Sequence, residues 1–439
     1  MDLYSLGFLF IFLPVGAFCY YLLHGRARII FLLLLSLLFA ALLSPLYLIL
    51  TVATIAIDFL LSKPIAFAHP KARQMLIFCI IKDLLVFVVC SSLTELHLLY
   101  LPLGISITVF TSLGYVTDLY HGETDLIEDP AAFGLFCCFF GKLYVGPIVT
   151  ASDFIPQLEK ASLTPEGVGN GMVLLIRGLA KKVILADSLM ELIGRFEALS
   201  RESPTVLGTW MYVICYILYI YFLLSGFSDM ATGTGAIFGL DLPENFRHPL
   251  QSSSVTDFFS RFNISANRFV RKYVYQALGA EDNGPLSTSV NIMLTTMLMG
   301  LWYGIRLNYL VWGAFLGVFI IIEVLYIEKH ADRIPVFLCR TYTFVAILIS
   351  FCWFCGSSLS ASFHSLKVMF GMGGIPGANA GCLYLLQSHW LLLLVSVFFC
   401  TGLSAPLHKR FSHAHPDAGR VISLIANLLL LGTALAYMV

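Results

Sequence analysis

From Ile29 to Leu61 the chain reads "IIFLLLLSLLFAALLSPLYLILTVATIAIDFLL". A helix needs about 20 apolar residues to cross the hydrocarbon core of a bilayer, so this run is long enough for two, broken near Ser44-Pro45. In hydrocarbon every backbone N–H and C=O must find a partner inside the structure, which leaves helices or closed barrels. Long apolar runs without period-two alternation select the helix.

Comparable runs recur along the chain: Leu3–Leu23, Met75–Ser92, Leu96–Tyr115, Ala131–Val149, Met172–Met190, Leu207–Tyr221 running on to Phe238, Val290–Trp302, Tyr309–Ile327, Val336–Phe354, Trp390–Leu403 and Val421–Met438. They predict an all-α integral membrane protein with roughly eleven membrane helices. Several runs are too short or too polar to cross unaided, and such re-entrant pieces are tolerated only where they are buried in protein or line a wet cavity. No repeat and no low-complexity linker divides residues 1–439, so a single multi-pass domain is the economical reading.

Composition agrees. The chain is 59% hydrophobic and 12% charged, against about 25% charged for an ordinary soluble domain. Its 26 basic and 26 acidic residues balance, which argues against nucleic acid as a partner and leaves membrane lipid. Eleven cysteines lie scattered in apolar runs; an odd, unpatterned count is no disulfide framework. The opening "MDLYSLGFLFIFLPVGAFCYYLL" lacks a basic n-region and a cleavage site, so it reads as a retained first span. Arg26 and Arg28, then Lys63, Lys71 and Arg73, are separated by an even number of crossings. The positive-inside rule puts both clusters in the cytoplasm.

The polar centre is Ser225–Ala280. Ser228 and Asp229 interrupt an apolar stretch, and an intramembrane carboxylate is a functional candidate by default; a salt-bridged structural role is the alternative. Gly226, Gly233, Gly235 and Gly239 offer close approach between helices. Ser254-Val-Thr-Asp257 has the spacing of a capping box. From it one helix is expected, with Phe258, Phe262, Phe269 and Tyr273 on one stripe and Arg261, Arg268, Arg271 and Lys272 opposite. Its cations face lipid headgroups, or else the helix lines a cavity and turns Arg261 and Asn263 toward a polar substrate; Asn263 belongs to neither stripe.

Taken in order, eight pieces resemble the membrane-bound O-acyltransferases, in the bacterial branch that acetylates alginate and peptidoglycan and, more distantly, D-alanylates teichoic acid. They are "LPLGISITVFTSLGYVTDLYHGE" (101–123), "FFGKLYVGPIVTASDFIPQL" (139–158), "RGLAKKVILAD" (177–187), "SGFSDMATGTGAIFGLDLPENFRHP" (225–249), "FFSRFNIS" (258–265), "LWYG" (301–304), "LVWG" (310–313) and "SLKVMFG" (365–371). The resemblance implies a helical bundle around a central tunnel, and transfer of an acetyl or acyl group from a cytoplasmic thioester, acyl-CoA or acyl carrier protein, to hydroxyls of an exported polysaccharide. It further implies the cytoplasmic membrane as location and an extracytoplasmic partner acyltransferase or acceptor-presenting protein.

The family's tryptophan–histidine–glycine triplet, whose histidine is regarded as catalytic, reads Trp302-Tyr303-Gly304 here, and a second histidine common in the branch is Asn263. Acyl transfer needs a base for the alcohol and donors for the oxyanion. An unshifted phenol is only ~0.1% ionised at neutral pH, a cost of about 4 kcal/mol; Arg306 or Lys142 close by would lower its pKa and burial would raise it. Tyr303 and Asn263 are thus the catalytic candidates, with Trp302, Arg261, Ser228, Asp229, Lys142, His248 and Arg306 as substrate or tunnel residues. Lys142 could meet an anionic donor or snorkel to the interface, and His248 could replace the missing base or be a solvated loop residue. A catalytically silent relative, acting as scaffold, acyl or lipid binder or regulator, is the competing expectation.

Four weaker features complete the reading. His121, His364 and His389 read as loop or helix-end residues. The pair His413/His415 is too sparse for a metal site, and the lone Cys352/Cys355 pair lacks the context of a redox motif; no metal is expected. "GMGGIPGANAG" (371–381) reads as a loop.

Overall fold

Ser44 is extended and ends one helix, and Pro45 occupies the first turn of the next. A proline is tolerated there because the N–H it lacks has no partner in a first turn anyway. The computed structural model describes residues 2–95, 104–160, 163–279, 284–327, 334–402 and 416–438. His413, His415 and the first part of the run Leu96–Tyr115 lie outside the described residues. In chain order the helices are α1 (Phe8–Leu22), α2 (Arg26–Leu43), α3 (Pro45–Ala66), α4 (Ala72–Glu95), α5 (Gly104–His121), α6 (Pro130–Cys138), α7 (Ala151–Lys160), α8 (Pro165–Ala180) and α9 (Asp187–Glu202). They continue with α10 (Val206–Ile237), α11 (Val255–Arg261), α12 (Ile264–Val270), α13 (Gly284–Leu301), α14 (Leu307–Ile327), α15 (Val336–Cys355), α16 (Leu359–Met369), α17 (Ala380–Cys400) and α18 (Pro416–Met438).

Eight of these, α2, α3, α4, α10, α14, α15, α17 and the Ala418–Met438 part of α18, are long and apolar enough to cross a bilayer. The chain is an all-helical multi-pass membrane protein. Large apolar side chains of these helices such as Leu34, Leu60 and Leu429 stand exposed, as a hydrocarbon solvent allows. The remaining expected spans fall on shorter or less apolar helices. Ala131–Val149 is the nine-residue α6 and a single 3-10 turn at Phe140–Lys142, and Met172–Met190 is α8 joined to α9 through a π-turn at Lys181–Ala186. α17 starts ten residues ahead of the expected Trp390, because Asn379 caps it by accepting from Cys382 N at 2.8 Å.

The chain divides into two compact units. One comprises residues up to Leu179 together with Phe227–Asn245, the other Ala180–Gly226 with Phe246–Tyr437. In the first, Gly171 of α8 and Gly233 of α10 meet backbone to backbone: a Cβ at Gly233 would stand 2.6 Å from Gly171 O. The glycines of the polar centre therefore work as helix-contact residues. Tyr20 and Tyr21 donate to the carbonyls of Phe238 (3.1 Å) and Ile237 (2.7 Å), satisfying acceptors that the end of α10 leaves unpaired.

That unit also contains a charged cluster which the sequence reading passed over. Lys82 Nζ lies 2.8 Å from Asp58 and 2.7 Å from Asp83, and Ser112 donates to the other Asp58 oxygen at 2.6 Å. Both carboxylates are fully buried. Among the described residues the Asp83 oxygens have no hydrogen-bond donor aligned on them. The Lys82–Asp58 ion pair ties α4 to α3, and the Ser112 hydrogen bond ties α5 to α3.

Candidate active site

The second unit builds the site from two adjacent breaks in helix. The first lies between α11 and α12. Half of the predicted capping box is present: Ser254 Oγ accepts from Asp257 N at 2.9 Å, while the Asp257 carboxylate accepts from Ser253 N at 3.1 Å in place of Ser254 N. The single helix expected beyond it is absent. α11 stops at Arg261, Phe262 is extended and bridges Phe246, and Asn263 adopts left-handed φ 53°, ψ 57° before α12 begins. Asparagine tolerates that region better than other residues bearing a Cβ. The break explains why Asn263 fitted neither stripe, and it turns the residues after it out of phase with Phe258.

The second break is the turn between α13 and α14, residues 302–306. Here the helices touch without side chains between them. A Cβ at Gly300 would lie 2.1 Å from Tyr309 O, and one at Gly313 2.2 Å from Thr296 O. Asn308 then fastens the start of α14, its Nδ2 donating to Gly356 O at 3.0 Å and to Ser362 Oγ at 3.1 Å. This buried amide is a structural clasp.

The two breaks converge. Asn263 Nδ2 donates to the Tyr303 hydroxyl at 3.4 Å. The Tyr303 ring stands edge-on to Trp312 (5.7 Å between centroids, 85°) and Phe354 (5.4 Å, 72°). Trp312 is itself buried and donates to Ser350 Oγ at 3.2 Å. Trp302 leans toward Phe269 of α12 at 6.2 Å. Tyr303 lies in the turn, outside the spanning helices. Burial among these rings pushes its phenol up to about 12, the hydrogen bond from Asn263 opposing.

Arg306 is engaged elsewhere, donating to Ser357 O at 2.7 Å with its guanidinium over the Tyr309 ring. Arg261 is paired within its own helix with Asp257 at 2.7 Å. Burial acts to raise the Asp257 carboxyl, but hydrogen bonds from Arg261, Ser253 N–H and the Ser260 hydroxyl outweigh it and hold it below the usual range. His248 is a half-buried loop residue whose Nδ1 is turned away from solvent. It is left-handed (φ 46°), and its ring lies against Gly402, where a Cβ would be 2.4 Å away. His121 ends α5 as expected, whereas His364 and His389 sit inside α16 and α17.

Lys142, Ser228 and Asp229 belong to the first unit. Lys142 does not snorkel. It is fully buried, donates to Phe136 O and lies over the rings of Phe136 (5.2 Å) and Phe154 (5.5 Å). Ser228 is buried and Asp229 half-buried on α10.

The profile of the membrane-bound O-acyltransferase family matches residues 107–365. The chain belongs to that family. Every candidate residue, from Lys142 to Arg306, lies inside the matched region. The "probable alginate O-acetylase AlgI" of Pseudomonas aeruginosa is 31% identical, over 94% of this chain and 84% of that protein. The peptidoglycan O-acetyltransferase of Helicobacter pylori is 29% identical over 84% and 79%. The teichoic acid D-alanyltransferase of Bacillus subtilis is 25% identical over 50% and 58%.

A family member whose two converging motif residues are a phenol and an amide has neutral hydrogen-bonding groups at that point. Both can hold a carbonyl or a hydroxyl; neither is a ready base at neutral pH. The resemblance located the two positions, and only the fold places them on one another.

Proposed function

We propose that this chain transfers an acetyl or other acyl group to hydroxyls of an exported or cell-surface polysaccharide. The acceptor hydroxyl attacks a thioester carbonyl, the carbon–oxygen bond forms, and the thiol leaves with the proton. The donor in this reading is acyl-CoA or an acyl carrier protein on the cytoplasmic face of the cytoplasmic membrane. An extracytoplasmic partner acyltransferase or acceptor-presenting protein would take the process further. The printed functions of the relatives support the class of acceptor.

The observation that carries the reading is the Asn263–Tyr303 contact at 3.4 Å. Two residues that the resemblance places in the family's active site are brought together by separate helix breaks. In the proposed reaction Tyr303 donates to the thioester oxygen as charge develops on it, and Asn263 orients the phenol. Ionising a phenol of pKa about 12 at pH 7 costs about 7 kcal/mol, so Tyr303 serves as a donor.

That same protonated phenol favours a second reading, a silent relative that binds an acyl chain or lipid. The ester content of exported glycans separates the two, measured by mass spectrometry after mild base release. Cells carrying the native chain, Tyr303→Phe, Tyr303→His and a deletion are compared. Loss of esters on deletion, with a sharp fall for Tyr303→Phe, is the expected result. Esters unchanged by deletion but appearing with Tyr303→His would establish the silent relative.

A further inference from the structure

Glu323 lies inside the membrane-spanning helix α14 and is 2% exposed. A carboxylate in such a helix is costly and marks function by default. Among the described residues no cation pairs with it. Its partners are the start of α11. Oε1 accepts from Val255 N at 2.6 Å, and Oε2 accepts from Thr256 N at 2.9 Å and from the Thr256 hydroxyl at 2.7 Å. With Ser254 taking Asp257 N, the first three N–H groups of α11 are all satisfied.

We propose that Glu323 is a positioning residue for the Asn263–Tyr303 pair, clamping α11 to the same helix whose preceding turn carries Tyr303. The inference rests on the site described above. α11 is seven residues long, too short to hold its shape unaided; its far end is tied by the Phe246–Phe262 bridge and by Arg261 O accepting from Arg247 N at 2.9 Å, which leaves its start to Glu323. It leaves Asn263 at its far end, about 10 Å from the clamp at 1.5 Å per residue. The amide–phenol contact of 3.4 Å is near the limit of a hydrogen bond, so a small swing of α11 about its start breaks it. Both ends of the lever are then referred to α14: one through the carboxylate, the other through the turn at residues 302–306.

The test uses the full chain in detergent or nanodiscs with 3-fluorotyrosine incorporated and read by fluorine NMR. Tyr303→Phe assigns the Tyr303 signal, and Asn263→Gly shows where that signal moves when the amide is lost. Tyr342 of α15, which lies beside Glu323, supplies a local control. Glu323→Ala is expected to move the Tyr303 signal as Asn263→Gly does while most other tyrosine signals stay in place. Thr256→Val, which removes one of the three bonds, moves it less and in the same direction. Glu323→Gln restores it in part.

A Tyr342 signal that moves while Tyr303 stays put overturns the proposal. Should Glu323→Ala unfold the chain, an unmoved Tyr303 signal in both Thr256→Val and Glu323→Gln overturns it equally. In the ester assay ester content is expected to fall about a hundredfold with Glu323→Ala and clearly less with Glu323→Gln. A native chain without transfer activity refutes the proposed reaction and leaves the NMR result to decide the clamp.

Discussion

Asn263 and Tyr303 are 40 positions apart in sequence and 3.4 Å apart in space, and each stands where a helix is interrupted. Helix interiors present side chains sideways. A left-handed residue between two short helices and a residue in a tight interhelical turn can instead point theirs at a common spot. The consequences can be measured at the backbone, the hydroxyl, the helix contact and the charged groups.

At Asn263 backbone and side-chain roles come apart. Asn263→Gly keeps a residue at home at φ 53° and is expected to cost about 1 kcal/mol or less, while removing the amide and with it most transfer activity. Asn263→Val adds a β-branched side chain at the same φ and is expected to cost about 1–2 kcal/mol more. Thermal unfolding in detergent, run beside the ester assay, checks both; equal stability would refute the strain assigned to this position.

The Tyr303 hydroxyl makes a long hydrogen bond, so Tyr303→Phe should lower stability by about 1 kcal/mol or less. With the phenol pushed up to about 12, a donor role predicts no activity limb from this residue between pH 6 and about 9. A phenolate base would behave otherwise, its active fraction rising about tenfold per pH unit up to that pKa. A log-linear rise present in the native chain and lost in Tyr303→Phe would overturn the donor assignment.

Gly313→Ala places a methyl 2.2 Å from Thr296 O. The backbone of α13 cannot yield as a flexible side chain would, so the hairpin must open. A loss of about 1–3 kcal/mol is expected from overpacking, together with lost activity because the turn carrying Tyr303 moves. Gly432→Ala, where nothing lies within 4 Å, should be silent in both assays.

Lys82→Met leaves the buried carboxylates of Asp58 and Asp83 without their cation. Breaking a buried pair from one side costs about 3–5 kcal/mol. The combined change of Lys82→Met, Asp58→Asn and Asp83→Asn should recover most of that, because no uncompensated charge remains. Expression and unfolding temperature of the two proteins give the comparison; a triple variant as unstable as the single one would refute the charge argument.

Asp257 couples the neighbourhood of the site to pH. Its folded pKa is depressed, so its contribution is present above the unfolded carboxylate value of about 3.9. It is lost as pH falls through the lower folded value. Asp257→Asn should therefore flatten the acid limb of the stability curve below about pH 4. Since the pair is only half-buried, solvent screening keeps the effect small. An unchanged acid limb counts against the Arg261 pairing.

The amino-acid sequence alone determined that this chain crosses a membrane as helices, since long apolar runs have one way to satisfy their backbone. It also determined the family, because eight ordered motifs survive without reference to shape, and the α10 span, whose apolar run continues to Phe238. The helix cap at Ser254 was legible because its chemistry is local. Where α11 ends was not: continuing the 3.6-residue period through Asn263 was reasonable, and the bridge between Phe246 and Phe262 overrode it. Asp58, Lys82 and Asp83 offered a signal, charges inside apolar runs, that went unweighed. For Glu323 even the identity of the partners was hidden, since backbone N–H groups 67 and 68 residues away leave no mark in composition or spacing. Local pattern decides which segments form, whereas hydrogen bonds and packing between distant segments decide where Asn263, Tyr303 and Glu323 point. Those exist only once the helices have met.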